Sequence, residues 1–391
     1  MPRARGSIRL RGRSWQIVVT TGRGADGRQA RISEYVQGRK KDAEARLTGL
    51  LGQVDRGTLV KTPTKLTVGD FLARWLRDYV ATNTRPRSYE GYEVICRVHL
   101  VPNLGHIPLK ALQPAHLQAF YAEQLKNGRK DGKEGGLSAR SVLHHHRVLS
   151  EALTHAVKWG LVGRNVAEAV DPPRPTRKEM ATLDAAGVQR LLEAAQGTPY
   201  HAALHLAIYS GMRRSELCGL RWQDVDLALG TASVCQVLHV LRGGRRVFME
   251  PKSAKGRRLI ALSPAAVLAL RAHRERVEAD YAKMEKPLAP SDLVFAWADG
   301  SPMLPDTLTH GYEKIAKRAG IYGVVRLHDL RHTHASLMLR QGVHPKIVQE
   351  RLGHSTISVT LDTYSHVTPG LQEQAALRFE QELATAQPVS A

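Results

Sequence analysis

The sequence predicts a multidomain protein, mainly α with small β-sheets: an N-terminal three-stranded sheet plus helix, a helical middle domain, and an α+β C-terminal domain. Three observations predict it. Residues 7–35 alternate polar and apolar side chains between glycine turns, as short strands do. Beyond residue 66 the apolar residues recur at helical spacing, interrupted by strand-like runs between 231 and 262. Two breaks, Thr62-Pro63-Thr64 and Asp171-Pro172-Pro173-Arg174-Pro175-Thr176-Arg177-Lys178, divide the chain. The expected domains are 1–62, 66–171 and 181–391, with a linker at 172–180.

In the first domain Ser7 to Arg11 and Trp15 to Val19 alternate as strands, and Ala30 to Tyr35 fits a third. Gly12-Arg13 and the run Gly22 to Gly27 read as turns, and from Arg39 the composition becomes helical. Fifteen Lys or Arg stand against five Asp or Glu in residues 1–65, so this sixth of the chain carries +10 of the net +21. With 57 Lys plus Arg against 36 Asp plus Glu and a pI near 10.2, self-repulsion opposes compaction, and the excess fits a polyanionic partner, most simply DNA. A solvated basic sheet or a protein-contact module are the other readings of this first domain.

Thr67 and Asp70 open the middle domain as a capping box, and Phe71, Leu72, Trp75, Leu76 and Tyr79 give the stripe of its first helix. Further helices are expected around Ser88–Val98, Pro114–Leu125 and Ser138–Trp159. Arg85, Arg87, Lys126, Arg129, Lys130, Arg140 and Arg147 are candidate phosphate contacts. His144, His145 and His146 point in three directions on a helix, so they read as surface or DNA-facing groups rather than a metal set.

In the third domain Asp184 caps a helix and Ala202 to Ser210 is apolar and helical. Gly211-Met212-Arg213-Arg214-Ser215-Glu216-Leu217 follows. Glu216, three residues beyond Arg213, would orient its guanidinium, while Arg214 reads as a solvated neighbour. Thr231–Val240, Arg246–Glu250 and Arg258–Leu262 read as three strands, with Gly243-Gly244 as a hairpin turn and Lys252 and Lys255 between the last two. Ser263-Pro264 caps another helix, Ser291–Trp297 is a short strand or buried loop, and Leu308–Ala319 a helix.

The stretch from His328 to His366 is dense in His and Arg and carries Tyr364. His328 and Arg331 share a helical face, with Leu337, Leu339, Ile347, Val348 and Leu352 as apolar support. Gly342 reads as a helix stop, Pro345 as the first turn of the next helix, and Gly353 as the break that presents His354. Arg offers paired donors to phosphate, His donates or moves a proton near neutral pH, and Tyr can become covalently attached. That set fits phosphoryl transfer without a metal.

The motifs resemble those of the tyrosine recombinases, the phage-integrase family. Gly211 to Leu217 matches the first arginine box, His328-Asp329-Leu330-Arg331-His332 the H-x-x-R box, Leu352-Gly353-His354-Ser355 the L-G-H box, and Tyr364-Ser365-His366 the nucleophile and its flank. The resemblance is specific over 205–367, looser over 66–171 and weakest over 1–65. It implies an arm-type DNA-binding domain, a helical core-binding (SAM-like) domain and a catalytic domain, with the linker letting two domains clamp a duplex. It implies catalytic roles for Arg213, Lys252, His328, Arg331, His354 and Tyr364, with Lys255 the rival of Lys252 and Tyr312 and Tyr322 the rivals of Tyr364. The implied reaction is cleavage and rejoining of DNA through a 3′-phosphotyrosyl intermediate, with no cofactor and no metal. The basic first domain favours an integrase of a phage or integrative element. A chromosome-dimer resolvase, a transposon-type recombinase, a type IB topoisomerase, a metal-dependent nuclease and a non-catalytic DNA-binding relative are the alternatives. Expected partners are double-stranded DNA at core and arm attachment sites and a homo-tetramer on that DNA, with room for a host DNA-bending protein and an excision factor.

Cys96, Cys218 and Cys235 are scattered, without a C-x-x-C pair, which argues against a disulfide framework or zinc knuckle. No signal peptide or membrane-length apolar run is read, so a cytoplasmic, nucleoid-associated protein is expected. Residues 371–385 read as an acidic amphipathic helix (Leu371, Ala375, Ala376, Phe379, Leu383) that packs in cis or docks on a neighbouring protomer.

Overall fold

The computed structural model describes residues 6–23, 29–55, 66–176 and 180–364, with scattered positions between 373 and 383. The chain divides into two compact units, Met1–Arg177 and Lys178–Ala391. Thr62-Pro63-Thr64, residues 177–179 of the second break, and Ser365 and His366 lie outside the described residues.

In the first unit, β1 (Gly6–Arg11), β2 (Ser14–Arg23) and β3 (Gln29–Gln37) form an antiparallel sheet in chain order. Gly12, at φ 62°, makes the first turn. Ile17 and Val19 of β2 bury one face against Ala43 and Leu50 of α1 (Lys40–Asp55). Arg46 of α1 pairs with Glu34 of β3 at 2.9 Å.

The helical part begins with α2 (Val68–Trp75), where Thr67 and Asp70 form the expected reciprocal cap. Then come α3 (Pro86–Ile95), α4 (Pro114–Asn127) and α5 (Ala139–Lys158). Phe71, Leu72 and Trp75 pack with Leu117, Tyr121 and Leu149 in one core, where the Trp75 indole donates to His155 Nδ1 at 3.3 Å. His145 corrects the expectation of surface histidines: the period of α5 turns it inward against His99, with ring centroids 4.5 Å apart. Burial and the neighbouring histidines push its pKa down to about 4. His146 is bonded to the Tyr121 hydroxyl at 2.8 Å.

The second unit contains α6 (Ala185–Ala195), α7 (His201–Ser210) and the single turn α8 (Arg214–Leu217). Among the described residues five strands follow: β4 (Val225–Asp226), β5 (Thr231–Val234), β6 (Val237–Val240), β7 (Arg246–Met249) and β8 (Arg258–Ala261). The expected strand 231–240 is two strands in two sheets: β4-β5-β8 and the hairpin β6-β7. The period-two pattern runs on through Cys235 and Gln236, but Gln236 donates its amide to the Gly219 carbonyl at 2.9 Å and redirects the chain. A Cβ on Gly219 would stand 3.0 Å from the Leu238 nitrogen, so that approach needs glycine. Lys252 and Lys255 therefore sit on a loop joining two sheets.

The remaining helices are α9 (Pro264–Ala282), capped by Ser263, α10 (Pro305–Arg318), α11 (Asp329–Arg340), α12 (Pro345–Leu352) and α13 (Ile357–Tyr364). Leu191, Leu204, Leu308, Tyr312 and Leu330 lie in the main core. Ser291–Trp297 is a loop that buries Val294 and Phe295 in the core and is held by single bridges, Arg221 to Leu293 and Ala296 to Pro302. Ile347 is exposed, a correction to its expected apolar role, whereas Val348 and Leu352 are buried. In the expected helix 371–385 only 373, 376, 377, 379–381 and 383 are described, all helical. Among the described residues no helix is long and apolar enough to cross a membrane.

Candidate active site

The site is assembled where α7, α11 and α12 end or begin near one another. After Ser210 the chain turns at Gly211, in the left-handed region at φ 66°, and delivers Arg213 to the cap of α8. A side chain at Gly211 would meet Leu352 at 2.7 Å and the His334 ring at 2.8 Å. Arg213 donates its backbone N–H to Glu216 Oε2 at 2.8 Å and Nη1 to Oε1 at 2.6 Å. The expected Arg213–Glu216 orientation is present.

Glu216 also has a second partner. Arg258, at the start of β8, donates Nη2 to Oε2 at 2.9 Å and Nη1 to Oε1 at 3.2 Å. Burial pushes the Glu216 carboxyl up, but the Arg258 bonds and charge, joined by Arg213, overcome it and hold it at about 2. Arg214 corrects its solvated reading: Nη1 donates to Asp306, to Thr309 and to the Pro305 carbonyl, stapling α8 to the start of α10.

Arg331 is only 3% exposed. Its Nη1 donates to the Gly211 carbonyl at 2.7 Å and its Nη2 to the Leu352 carbonyl at 2.5 Å. These bonds use the carbonyls that helix ends leave unsatisfied. They fix the guanidinium between the Arg213 turn and the His354 turn. Arg351 backs the same seam, donating Nε to His334 at 3.1 Å and Nη2 to the Tyr209 carbonyl at 2.9 Å.

Gly353, at φ 65°, ends α12 and His354 follows. Gln349 clamps that turn, accepting from the His354 N–H and donating to its carbonyl. His354 Nδ1 lies 2.9 Å from the buried Thr360 hydroxyl. Burial first, then the charges of Arg331, Arg213, His332 and Arg258, push its pKa down to about 4. His328 precedes α11 and meets the His332 ring edge-on at 5.5 Å. Burial and then Arg331 lower its pKa, against the opposing pull of Asp329. Arg213, His328, Arg331 and His354 thus belong to one electrostatic neighbourhood, rich in cations, with Glu216 buried beneath it.

Lys252 is exposed on the β7–β8 loop, and Lys255 Nζ donates to the Ser355 carbonyl at 2.7 Å. Tyr364 is the last residue of α13, and its side chain lies outside the described residues. Of its rivals, Tyr312 is buried and donates its hydroxyl to the Val325 carbonyl at 2.7 Å. Tyr322 is exposed with Lys317 over its ring at 4.6 Å.

Sequence reasoning missed Arg258, Thr360 and Gln349. A signal existed for Arg258. It shares a strand face with Ile260, which is buried, and a charge on a buried face demands a partner.

Residues 181–370 match the phage integrase family, and residues 67–125 match the N-terminal SAM-like domain of phage integrases. A "tyrosine recombinase XerC-like" protein of Caldanaerobacter subterraneus subsp. tengcongensis is 26% identical over 373 residues, covering 91% of this chain and 93% of its own. Tyrosine recombinase XerC of Xylella fastidiosa (strain M23) is 30% identical over 261 residues, 66% of this chain and 77% of its own. The Tn1549 transposon integrase, solved in complex with transposon right-end DNA, superposes with a TM-score of 0.67 at 22% identity, over 81% of this chain and 99% of its own.

Proposed function

We propose how this chain acts from the premise that it belongs to the tyrosine recombinase, or phage integrase, family, enzymes of site-specific DNA recombination. Its substrate is double-stranded DNA. Tyr364 attacks a backbone phosphate, forms a 3′-phosphotyrosyl ester and releases a 5′-hydroxyl. Arg213, Arg331 and His354 donate to the non-bridging oxygens as charge builds there. His328 assists the proton leaving the tyrosine, and Lys252 protonates the departing 5′-oxygen. The ester keeps the bond energy, so a second 5′-hydroxyl reseals the strand without a nucleotide cofactor. Joining two duplexes requires four such cleavages, which fits four protomers on DNA.

The observation that carries this reading is the fixing of Arg213 and Arg331 by hydrogen bonds, beside a His354 ring held by Thr360. Donors already held in place need no reorganisation when the charge develops. The Thr360 hydroxyl, 2.9 Å from Nδ1, fixes the His354 ring and leaves Nε2 for a phosphate oxygen.

We further propose integration of a phage or mobile element as the biological task, with the basic sheet of residues 1–62 reading arm DNA. The alternative within the same chemistry is a chromosome-dimer resolvase. Removing residues 1–62 separates them: an integrase keeps core cleavage but loses recombination between full attachment sites, whereas a resolvase loses neither.

The chemistry is tested by incubating the full chain, in EDTA, with a pool of nicked duplexes of random core sequence. DNA that stays attached through denaturing electrophoresis is the expected result, and sequencing it yields the core site. Cleavage that appears only with added Mg²⁺ would overturn the proposal.

A further inference from the structure

The loop between β7 and β8 is short, closed on itself, and fastened to the His354 turn. Gly256 donates its N–H to the Ser253 carbonyl at 2.8 Å. A Cβ on Gly256 would stand 2.7 Å from Pro251 Cβ, so the two ends of the loop touch. On the far side, Lys255 Nζ donates to the Ser355 carbonyl at 2.7 Å. The Lys255 carbonyl lies 2.8 Å from where a Gly353 Cβ would be. Arg258, at the loop's end, donates Nε to the Arg351 carbonyl at 2.7 Å. Lys252 projects from this loop as an exposed side chain.

We infer that Lys255 is a positioning residue: by bonding the Ser355 carbonyl it latches the Lys252 loop against the turn that carries His354. This rests on the reading of Lys252 as the proton donor to the 5′-oxygen. A lysine with four rotatable carbons on a mobile loop would spend little time at one oxygen. Proton transfer needs hydrogen-bond reach, and holding the donor's loop raises the fraction of time spent within it. The latch uses a charge-assisted bond to a backbone carbonyl, so it depends on the ammonium of residue 255 and not on the identity of residue 355. The opposing uses of Lys255 are the acid itself and a plain phosphate contact.

The test uses the full chain and a nicked duplex carrying the captured core, with either oxygen or sulfur at the bridging 5′ position. Sulfur leaves as a thiolate and needs no proton. Single-turnover cleavage at saturating DNA is measured for wild type, Lys252→Ala, Lys255→Met, Lys255→Arg and the double variant. Lys255→Met should slow cleavage of the oxygen substrate about tenfold and return to near the wild-type rate with sulfur. Lys255→Arg, which keeps a charged donor, should recover most of the loss. The double variant should be no slower than Lys252→Ala, because Lys255 acts through Lys252. A Lys255→Met defect that multiplies the Lys252→Ala defect would overturn the inference, as would wild-type rates in Lys255→Met or a defect seen only in DNA affinity. If Lys252→Ala itself cleaves the oxygen substrate normally, the reading of Lys252 fails, and a sulfur-rescued Lys255→Met would then identify Lys255 as the acid.

Discussion

Glu216 and Arg258 form a buried ion pair, 2.9 Å apart, beneath the cation cluster of the candidate active site. Their side chains are 2% and 6% exposed. Arg213 shares the same carboxylate, so one acid serves two bases. Removing one partner of a buried pair leaves uncompensated charge. Glu216→Ala should therefore cost about 3–5 kcal/mol of stability. Denaturant unfolding checks it, and an unchanged midpoint would contradict the pair's structural role.

Gly353 stands at φ 65°, with the Lys255 carbonyl 2.8 Å from the place a Cβ would take. Gly353→Ala must strain the backbone or push the loop away. The expected cost is about 1–3 kcal/mol, with covalent attachment to DNA slowed more than DNA binding is weakened. Parallel measurement of the adduct rate and the Kd decides.

His354 and His332 are held near 4 by burial and neighbouring charge, and His328 is also lowered. In the folded protein His354 and His332 are neutral at pH 6. Their folded pKa values lie below the unfolded value near 6.5, so the unfolded chain binds more protons between about 4 and 6.5. Stability present above that window is lost as pH falls through it. Tm should drop from pH 6.5 to 4.5, and the drop should be shallower in His354→Asn. A bound phosphate favours the charged histidine, so core DNA binding at pH 5.5 should take up protons. Calorimetry in two buffers of different ionisation enthalpy reads that uptake directly.

Tyr312 donates its hydroxyl to the Val325 carbonyl from inside the core. Tyr312→Phe should lose about 1 kcal/mol of stability and still form the covalent DNA adduct. Loss of the adduct in a folded Tyr312→Phe protein would reopen the choice of nucleophile.

Local signals carried much of the fold. The Thr67–Asp70 box, the Asp184 and Ser263 caps, the Gly243-Gly244 turn and Gly353 are short-range features, and each lies where the sequence places it. The Arg213–Glu216 pair was legible for the same reason, since it spans three residues. What the sequence concealed was long-range. Arg258 reaches Glu216 across 42 residues, and Arg331 reaches the Gly211 carbonyl across 120. The break at Gln236 depends on a carbonyl 17 residues away, so alternation alone runs straight through it. His145 faces inward because the period of α5 turns it against His99 and Phe120, which a run of three histidines does not reveal.

The most direct test of the central claim is the comparison of wild type with Tyr364→Phe on a nicked duplex carrying the captured core, in EDTA, read on a denaturing gel. A covalent band in wild type and none in Tyr364→Phe, with DNA binding retained, is the predicted result. A covalent band that survives in Tyr364→Phe would contradict it.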